Sequence, residues 1–250
     1  VARFIDNAVC LRDMDWSESS QLVVLLTEHH GKVRGLAKGS RRQSPSAVAK
    51  FSGGINLLNL GQVAVSTKPA GKLAAITEWD LRNDHYHLRT SLAAQWSAMY
   101  AADLAAALLA DEDPHPGVFA ALSVFLAASA DAQAVDRALL DFQWALLTDV
   151  GYRPELDRDV ADGKPLSEAR AYSFDPRLGG LTAREGLNDE AWRVRSATVE
   201  LLRRVASGQH EPAEDAQAVR RANRLLCAYA RALLDKELPT MSVVLGDATV

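Results

Sequence analysis

The hydrophobic period changes between residues 80 and 90, and that change constrains the fold more than any other feature of the chain. Before it, apolar residues fall in short runs: "AVCLRDMDW" and "SSQLVVLLTEHH" are β-type segments parted by the polar "SESS". "GKVRGLAKG" follows closely and predicts a hairpin through Gly31. "GGINLLNLGQVAVSTK" comes after a Ser/Pro-rich break, "KPAGKL" holds the Pro and Gly of a tight turn, and "LAAITEWDL" supplies a fifth strand. Five strands within 80 residues, with glycines where a small barrel must bend, predict an OB-type β-barrel. A fragment of a β-sandwich is the alternative that the pattern leaves open.

From residue 90 the apolar residues recur at helical spacing. Leu92, Trp96, Met99, Tyr100, Leu104 and Leu108 mark one helix, with Thr90 as its expected N-cap. "DEDPHPG" breaks the chain, and Pro116 opens a second helix carrying Phe119, Leu122, Phe125 and Leu126. Val135, Leu139, Phe142, Leu146 and Val150 form a third stripe that Gly151 ends. Residues 152–187 read as irregular, and two long helices are expected over about 188–207 and 212–236. The expected class is therefore α+β, with an OB-type nucleic-acid-binding domain over 1–82. An α-helical domain with a loop-rich insertion follows over 83–250.

Charge is distributed unevenly along this frame. The chain carries a formal net charge of -4, yet no acidic residue stands between Glu28 and Glu78, where eight Lys or Arg do. The remainder sums to -12, and such a split points to a polyanionic partner for the positive part. Strand alternation puts Lys32, Arg34, Leu36 and Lys38 on one face of the third strand, with Val33, Gly35 and Ala37 on the other. Lys32, Arg34, Lys38, Arg41, Arg42 and Lys50 are the candidate DNA-binding residues. Five phosphate contacts correspond to a salt slope of about -3.5 on single strands and about -4.5 on duplex. The first 80 residues hold few aromatics, namely Phe4, Trp16, Phe51 and Trp79, so binding is expected to rest on the phosphate backbone. Trp16 lies in a polar loop, whereas Phe51 is assigned to the core.

The order of these parts resembles the RecO family of recombination mediators. "LTEHHGKVRGLAKGSRR", "LTEWDLR", "DEDPHPGVF" and "ALLTDVGYRPELDRDVADGKPL" carry the similarity, which runs over most of residues 9–235. The resemblance implies binding to single- and double-stranded DNA and annealing of complementary strands. It also implies cooperation with a RecR-type protein in loading a RecA-type recombinase onto DNA coated by single-strand-binding protein. Many members have a four-cysteine zinc site, but here the matching positions are Asp159, Asp162, Ala183 and Gly186. Ala and Gly offer no side-chain ligand, so no structural zinc and no other cofactor are expected. A hard-cation site at Asp157, Asp159 and Asp162 is a minor alternative to a solvated loop.

Other chemistry is poorly supported. No G-x-x-x-x-G-K-[ST], G-x-S-x-G or H-E-x-x-H string occurs, which disfavours a P-loop ATPase and the corresponding hydrolases. The protein is expected not to be an enzyme. Cys10 and Cys227 are isolated thiols that fit a reducing cytoplasm, no apolar run approaches a membrane span, and the acids of residues 1–30 argue against a signal peptide. His85-x-His87 has metal-like spacing but lacks identifiable further ligands. Arg220, Arg224 and Arg231 share a helical face, with Arg221, Arg203 and Arg204 nearby, and numerous acids around them suggest an ordinary solvated surface. A helical protein-interaction adaptor with little DNA binding is the competing expectation. A nuclease built on the three aspartates is a distant third.

Overall fold

Strand β1 (Arg3–Ser17) is long enough to serve twice in this computed structural model, which describes residues 2–67, 72–128, 132–183, 191–209 and 214–246. Its first half, Arg3 to Val9, pairs antiparallel with β4 (Leu60–Ser66), and its second half, Ala8 to Ser17, with β2 (Ser20–Thr27). β2 continues into β3 (Gly31–Ala37), β4 pairs with β5 (Ala74–Asn83), and a short parallel seam joins Gly35–Ala37 to Ala74–Ile76. The closed order is β1-β2-β3-β5-β4, the five-stranded barrel expected from the sequence.

Inward positions are small where the barrel is narrow. Val33, Gly35 and Ala37 are buried while Lys32, Arg34, Leu36 and Lys38 face outward, as the alternation predicts. A Cβ on Gly35 would lie 2.5 Å from Ile76 Cδ1, so a larger residue there would spread the seam. Gly31 has φ +72°, and a side chain there would collide with the backbone of Asp113. The Ser/Pro-rich break forms a helix, α1 (Pro45–Phe51), with Pro45 in its first turn and buried Phe51 delivered to the barrel core beside Ile55 and Trp79.

The β2–β3 turn is locked by one buried carboxylate. Asp6 Oδ1 lies 3.0 Å from His29 Nδ1 and Oδ2 lies 2.8 Å from His30 Nδ1, while the His29 amide donates to Oδ2 at 2.8 Å. Burial raises the Asp6 pKa, but the hydrogen bonds from His30 and His29 outweigh it, and the net value is lowered; the same contact raises that of His29. Stabilisation through Asp6 is complete above its unfolded pKa of about 3.9 and is lost as pH falls through the lower folded value. Stabilisation through His29 holds below about 6.5 and is lost as pH rises through the higher folded value. Asp6→Asn is expected to flatten both limbs of a plot of melting temperature against pH, and an unchanged profile would count against this lock.

The chain separates into two compact units, Val1–Ala130 and Asp131–Val250. The sequence-expected boundary after residue 82 lies inside the first. That unit adds α2 (Leu92–Leu108) and α3 (Pro116–Ala128), packed on β1 and β2 respectively. The N-cap of α2 is Ser91, whose Oγ accepts from the Ala94 amide at 3.4 Å; Thr90, the expected cap, ends a 3₁₀ turn and donates to His87 O.

The second unit contains α4 (Ala132–Asp149), a sheet of β6 (Ala171–Asp175), β7 (Gly180–Thr182) and β8 (Trp192–Arg195), then α5 (Ser196–Ala206), α6 (Ala216–Leu234) and α7 (Ser242–Leu245). Two expectations are corrected here. Residues 152–187 contain β6 and β7 among their loops. The helix expected from 188 starts at Ser196, because "WRVR" alternates as a strand against β6, with Val194 buried and both arginines exposed. Residues 188–190 lie outside the described residues. Helix α6 starts after Asp215, whose carboxylate accepts from the Gln217 amide. Buried Gln143 on α4 donates to Asn223 on α6 at 2.8 Å, and Asn223 donates to Asp136 O at 2.7 Å.

Candidate nucleic-acid interface

The loop that ends β3 is fixed from inside the barrel. Buried Gln21 donates to Ile55 O at 2.7 Å, and its Oε1 accepts from the Ile55 amide and from Ser40 Oγ, both at 3.0 Å. The amides of Gly39 and Arg41 donate to Ser20 Oγ and Ser19 O in the β1–β2 turn. Residues 38–42 are thus held against that turn, and their cations have a defined place.

The six candidate cations divide into two groups. Lys32 donates to Ala106 O at 2.7 Å and lies 3.3 Å from Asp111, with only 12% of its side chain exposed. Arg34 pairs with the other oxygen of Asp111 at 2.7 Å. Arg41 lies 3.3 Å from Asp13 and 3.7 Å from Asp15, and also donates to Asn56. Lys38, Arg42 and Lys50 are exposed, and none is paired with a carboxylate among the described residues. Lys38 and Lys50 flank a groove of about 290 Å³ floored by Leu36, Phe51 and residues 74–77.

The acid-free stretch of sequence is therefore not acid-free in space. Asp111→Asn is expected to release Arg34 and part of Lys32, tightening single-strand binding by roughly two- to fivefold at low salt. An anisotropy titration checks this, and weaker binding would show that Asp111 serves the interface rather than masking it.

Register reveals a feature that the sequence reading missed. On the outer surface Met14 pairs with Leu22, Leu22 with Leu36, and Leu36 with Ala75, so four strands contribute to one apolar row. Met14 is 49% exposed. At the end of β1 the pairing steps from Asp15↔Gln21 to Ser17↔Ser20, making Trp16 the extra residue of a β-bulge, 61% exposed. The next row down, Arg12–Val24–Arg34, is occupied: Arg12 pairs with Asp103 on α2 and Arg34 with Asp111. Only strand pairing, which a single sequence does not specify, could have exposed the row.

Other candidates are absorbed by the fold. His85 Nδ1 lies 2.8 Å from Leu58 O and His87 Nε2 lies 2.9 Å from Leu126 O, so each ring serves a backbone carbonyl. Asp6, Glu28 and His29 bring ligand atoms within 4.8 Å of one another, but both Asp6 oxygens already accept hydrogen bonds. In the second unit Arg203 donates to Leu156 O and pairs with Asp157, Arg221 pairs with Asp215, and Arg231 with Glu237. Arg220 and Arg224 are exposed.

The residues at the positions that match the zinc ligands of many RecO members do not fit a tetrahedral metal. Asp159 is 6% exposed; its Oδ1 accepts from the Ala161 amide at 2.8 Å, and its Oδ2 from the Ala183 amide at 2.9 Å and Thr182 Oγ1 at 3.2 Å. Ala183 thus contributes a donor where a ligand would be needed. Asp162 accepts from the Lys164 amide and pairs with its ammonium at 3.0 Å. Gly186 lies outside the described residues. Asp157 pairs with Arg203, so the three aspartates are individually engaged and form no shared cation site among the described residues.

Comparison with known proteins agrees with this architecture along nearly the whole chain. The family described as "Recombination protein O N terminal" matches residues 2–84, and "Recombination protein O C terminal" matches residues 89–242. A protein of Polaromonas naphthalenivorans named "DNA repair protein RecO" is 30% identical over 231 residues, 92% of this chain and 88% of its own length. Proteins of the same name from Anaeromyxobacter sp. (strain Fw109-5) and Rhodopirellula baltica are 31% and 28% identical over 70% and 82% of this chain, and over 67% and 76% of their own lengths. With a closed five-stranded barrel leading into a helical region and both family segments matched in order, this chain belongs to the RecO family of DNA repair proteins.

Proposed function

We propose that this protein binds single- and double-stranded DNA at the outer end of β2 and β3 and promotes annealing of complementary strands. The observation that carries the reading is a set of exposed cations with no carboxylate partner among the described residues: Lys38 and Lys50 beside one groove, and Arg42 in the loop that follows β3. Cations between two phosphate backbones reduce their repulsion and release condensed counterions, so strands meet without nucleotide hydrolysis and without an enzymatic step. Together with a RecR-type partner, the protein loads a RecA-type recombinase onto DNA coated by single-strand-binding protein, in the cytoplasm. Among the described residues no helix is long and apolar enough to cross a membrane.

Titrating labelled single-stranded DNA at several salt concentrations tests the binding. Three free cations correspond to a slope near -2, shallower than the roughly -3.5 expected if five cations engaged. Annealing of complementary oligonucleotides is measured in parallel without nucleotide. Absence of binding at low salt defeats the reading.

One observation favours the adaptor as a second reading. In the second unit Arg193, Arg195, Arg221 and Arg224 surround a cleft of about 310 Å³ floored by Leu225, Ala228 and Leu245. Such a cleft suits a partner segment carrying both acidic and apolar residues. Under this reading Arg193 and Arg224 variants lose the protein partner while DNA affinity is unchanged.

A further inference from the structure

We infer that the bases of single-stranded nucleic acid lie on the apolar row Met14–Leu22–Leu36, with Trp16 as its stacking platform. These residues, rather than the cations, distinguish single strands from duplex. The inference rests on the DNA-binding reading above and adds to it the residues that select the form of DNA.

Three observations converge. First, the row is exposed at its Met14 end, whereas the adjacent row is tied down by Asp103 and Asp111. Second, a β-bulge presents Trp16 in the open, and such irregularities re-aim side chains at the rims of barrels. The indole is left 61% in water, so most of its apolar surface is still available to a stacking partner. Third, unpaired cations stand along the same surface: the row runs through Leu36 into the groove between Lys38 and Lys50, and Arg42 follows in the loop held against the β1–β2 turn. An apolar strip bordered by positive charge matches a chain that has apolar faces and phosphates side by side. At about 4.8 Å between strands, β1 to β5 spans roughly 14 Å, room for a few bases.

Duplex DNA hides its base faces in its own stack and offers this surface mainly its sugar–phosphate backbone. Two acids lie close by, Asp15 and Glu18; Asp15 is near Arg41, and Glu18 sits in the β1–β2 turn, where it disfavours a second phosphate backbone. When two bound strands anneal, their bases leave the row and the product keeps only the phosphate contacts. The surface therefore holds substrate more tightly than product, which lets the annealed duplex depart.

The test uses the full chain and its Trp16→Ala, Trp16→Phe and Met14→Ser variants, with an oligo-dT strand and a duplex of equal length. Trp16→Ala is expected to weaken oligo-dT binding by roughly tenfold or more, with duplex affinity changed less than about twofold and the salt slope unaltered. Met14→Ser is expected to give a smaller loss of the same kind, and Trp16→Phe to retain most of the affinity. Oligo-dT should quench a component of tryptophan emission that is missing from Trp16→Phe. Equal losses on both forms of DNA would overturn the inference, as would unchanged oligo-dT affinity in Trp16→Ala. If Trp16→Ala is silent while loss of the cations weakens binding, the stacking surface falls and the DNA-binding reading stands. If wild type binds neither form at low salt, both fall.

Discussion

Replacing Lys38, Arg42 and Lys50 together by alanine is expected to weaken single-strand binding by about 50-fold near 0.15 M salt and to make the salt slope shallower by about 2. Each cation releases a fraction of a counterion on meeting a phosphate, so three lost contacts remove both affinity and salt dependence. The same number of charges removed at Lys32, Arg34 and Arg41 should matter less. Those side chains already spend their charge on Asp111, Asp13 and Asp15, and Lys32 also donates to Ala106 O. The second triple variant should instead lower thermal stability, because Asp111 and Asp13 lose their counter-charges. Anisotropy titrations at several salt concentrations, with melting curves beside them, separate the two. The opposite ranking in DNA affinity would show that the ion pairs open when DNA arrives and that the free cations are bystanders.

The contrast between the two triples shows where the sequence was informative. Alternation in "GKVRGLAKG" correctly assigned the faces of β3, because a strand half inside a barrel must alternate. Pro116 and Gly151 marked helix ends through backbone chemistry that is local to each residue. The availability of each cation was not legible. Asp13 and Asp15 are 28 and 26 positions from Arg41, and Asp111 is 77 from Arg34, so only folding brings them together. Trp16 reads from sequence as a polar-loop residue, whereas it lies in β1 at a bulge, and Leu22 and Leu36 are joined to Met14 by register alone. "WRVR" was read as helix because four residues are too few for a period to declare itself.

The second large effect is expected at Asp159, in a part of the chain remote in sequence from the basic tract. Asp159→Ala should lower the stability of the second unit by about 3–4 kcal/mol, since hydrogen bonds to a charged acceptor contribute roughly 1.5–3 kcal/mol each and their losses overlap. The carboxylate ties Ala161 on its own loop to Thr182 and Ala183 at the end of β7, so its removal frees two segments at once. Asp159→Asn should fall between, because one amide nitrogen would face donors where an oxygen had accepted. Chemical denaturation followed by a probe in the second unit measures this, with limited proteolysis at residues 157–166 as a local readout. Single-strand affinity should be unchanged, which separates the effect from the interface on the barrel. Treating wild type with a chelator should leave the midpoint in place, since the loop is closed by a carboxylate and backbone amides. A chelator-sensitive midpoint, or an Asp159→Ala variant as stable as wild type, would show that another group closes it. In this unit a single acceptor thus spans the two loop segments from one side, and the strength of that link depends on its being charged and kept from water.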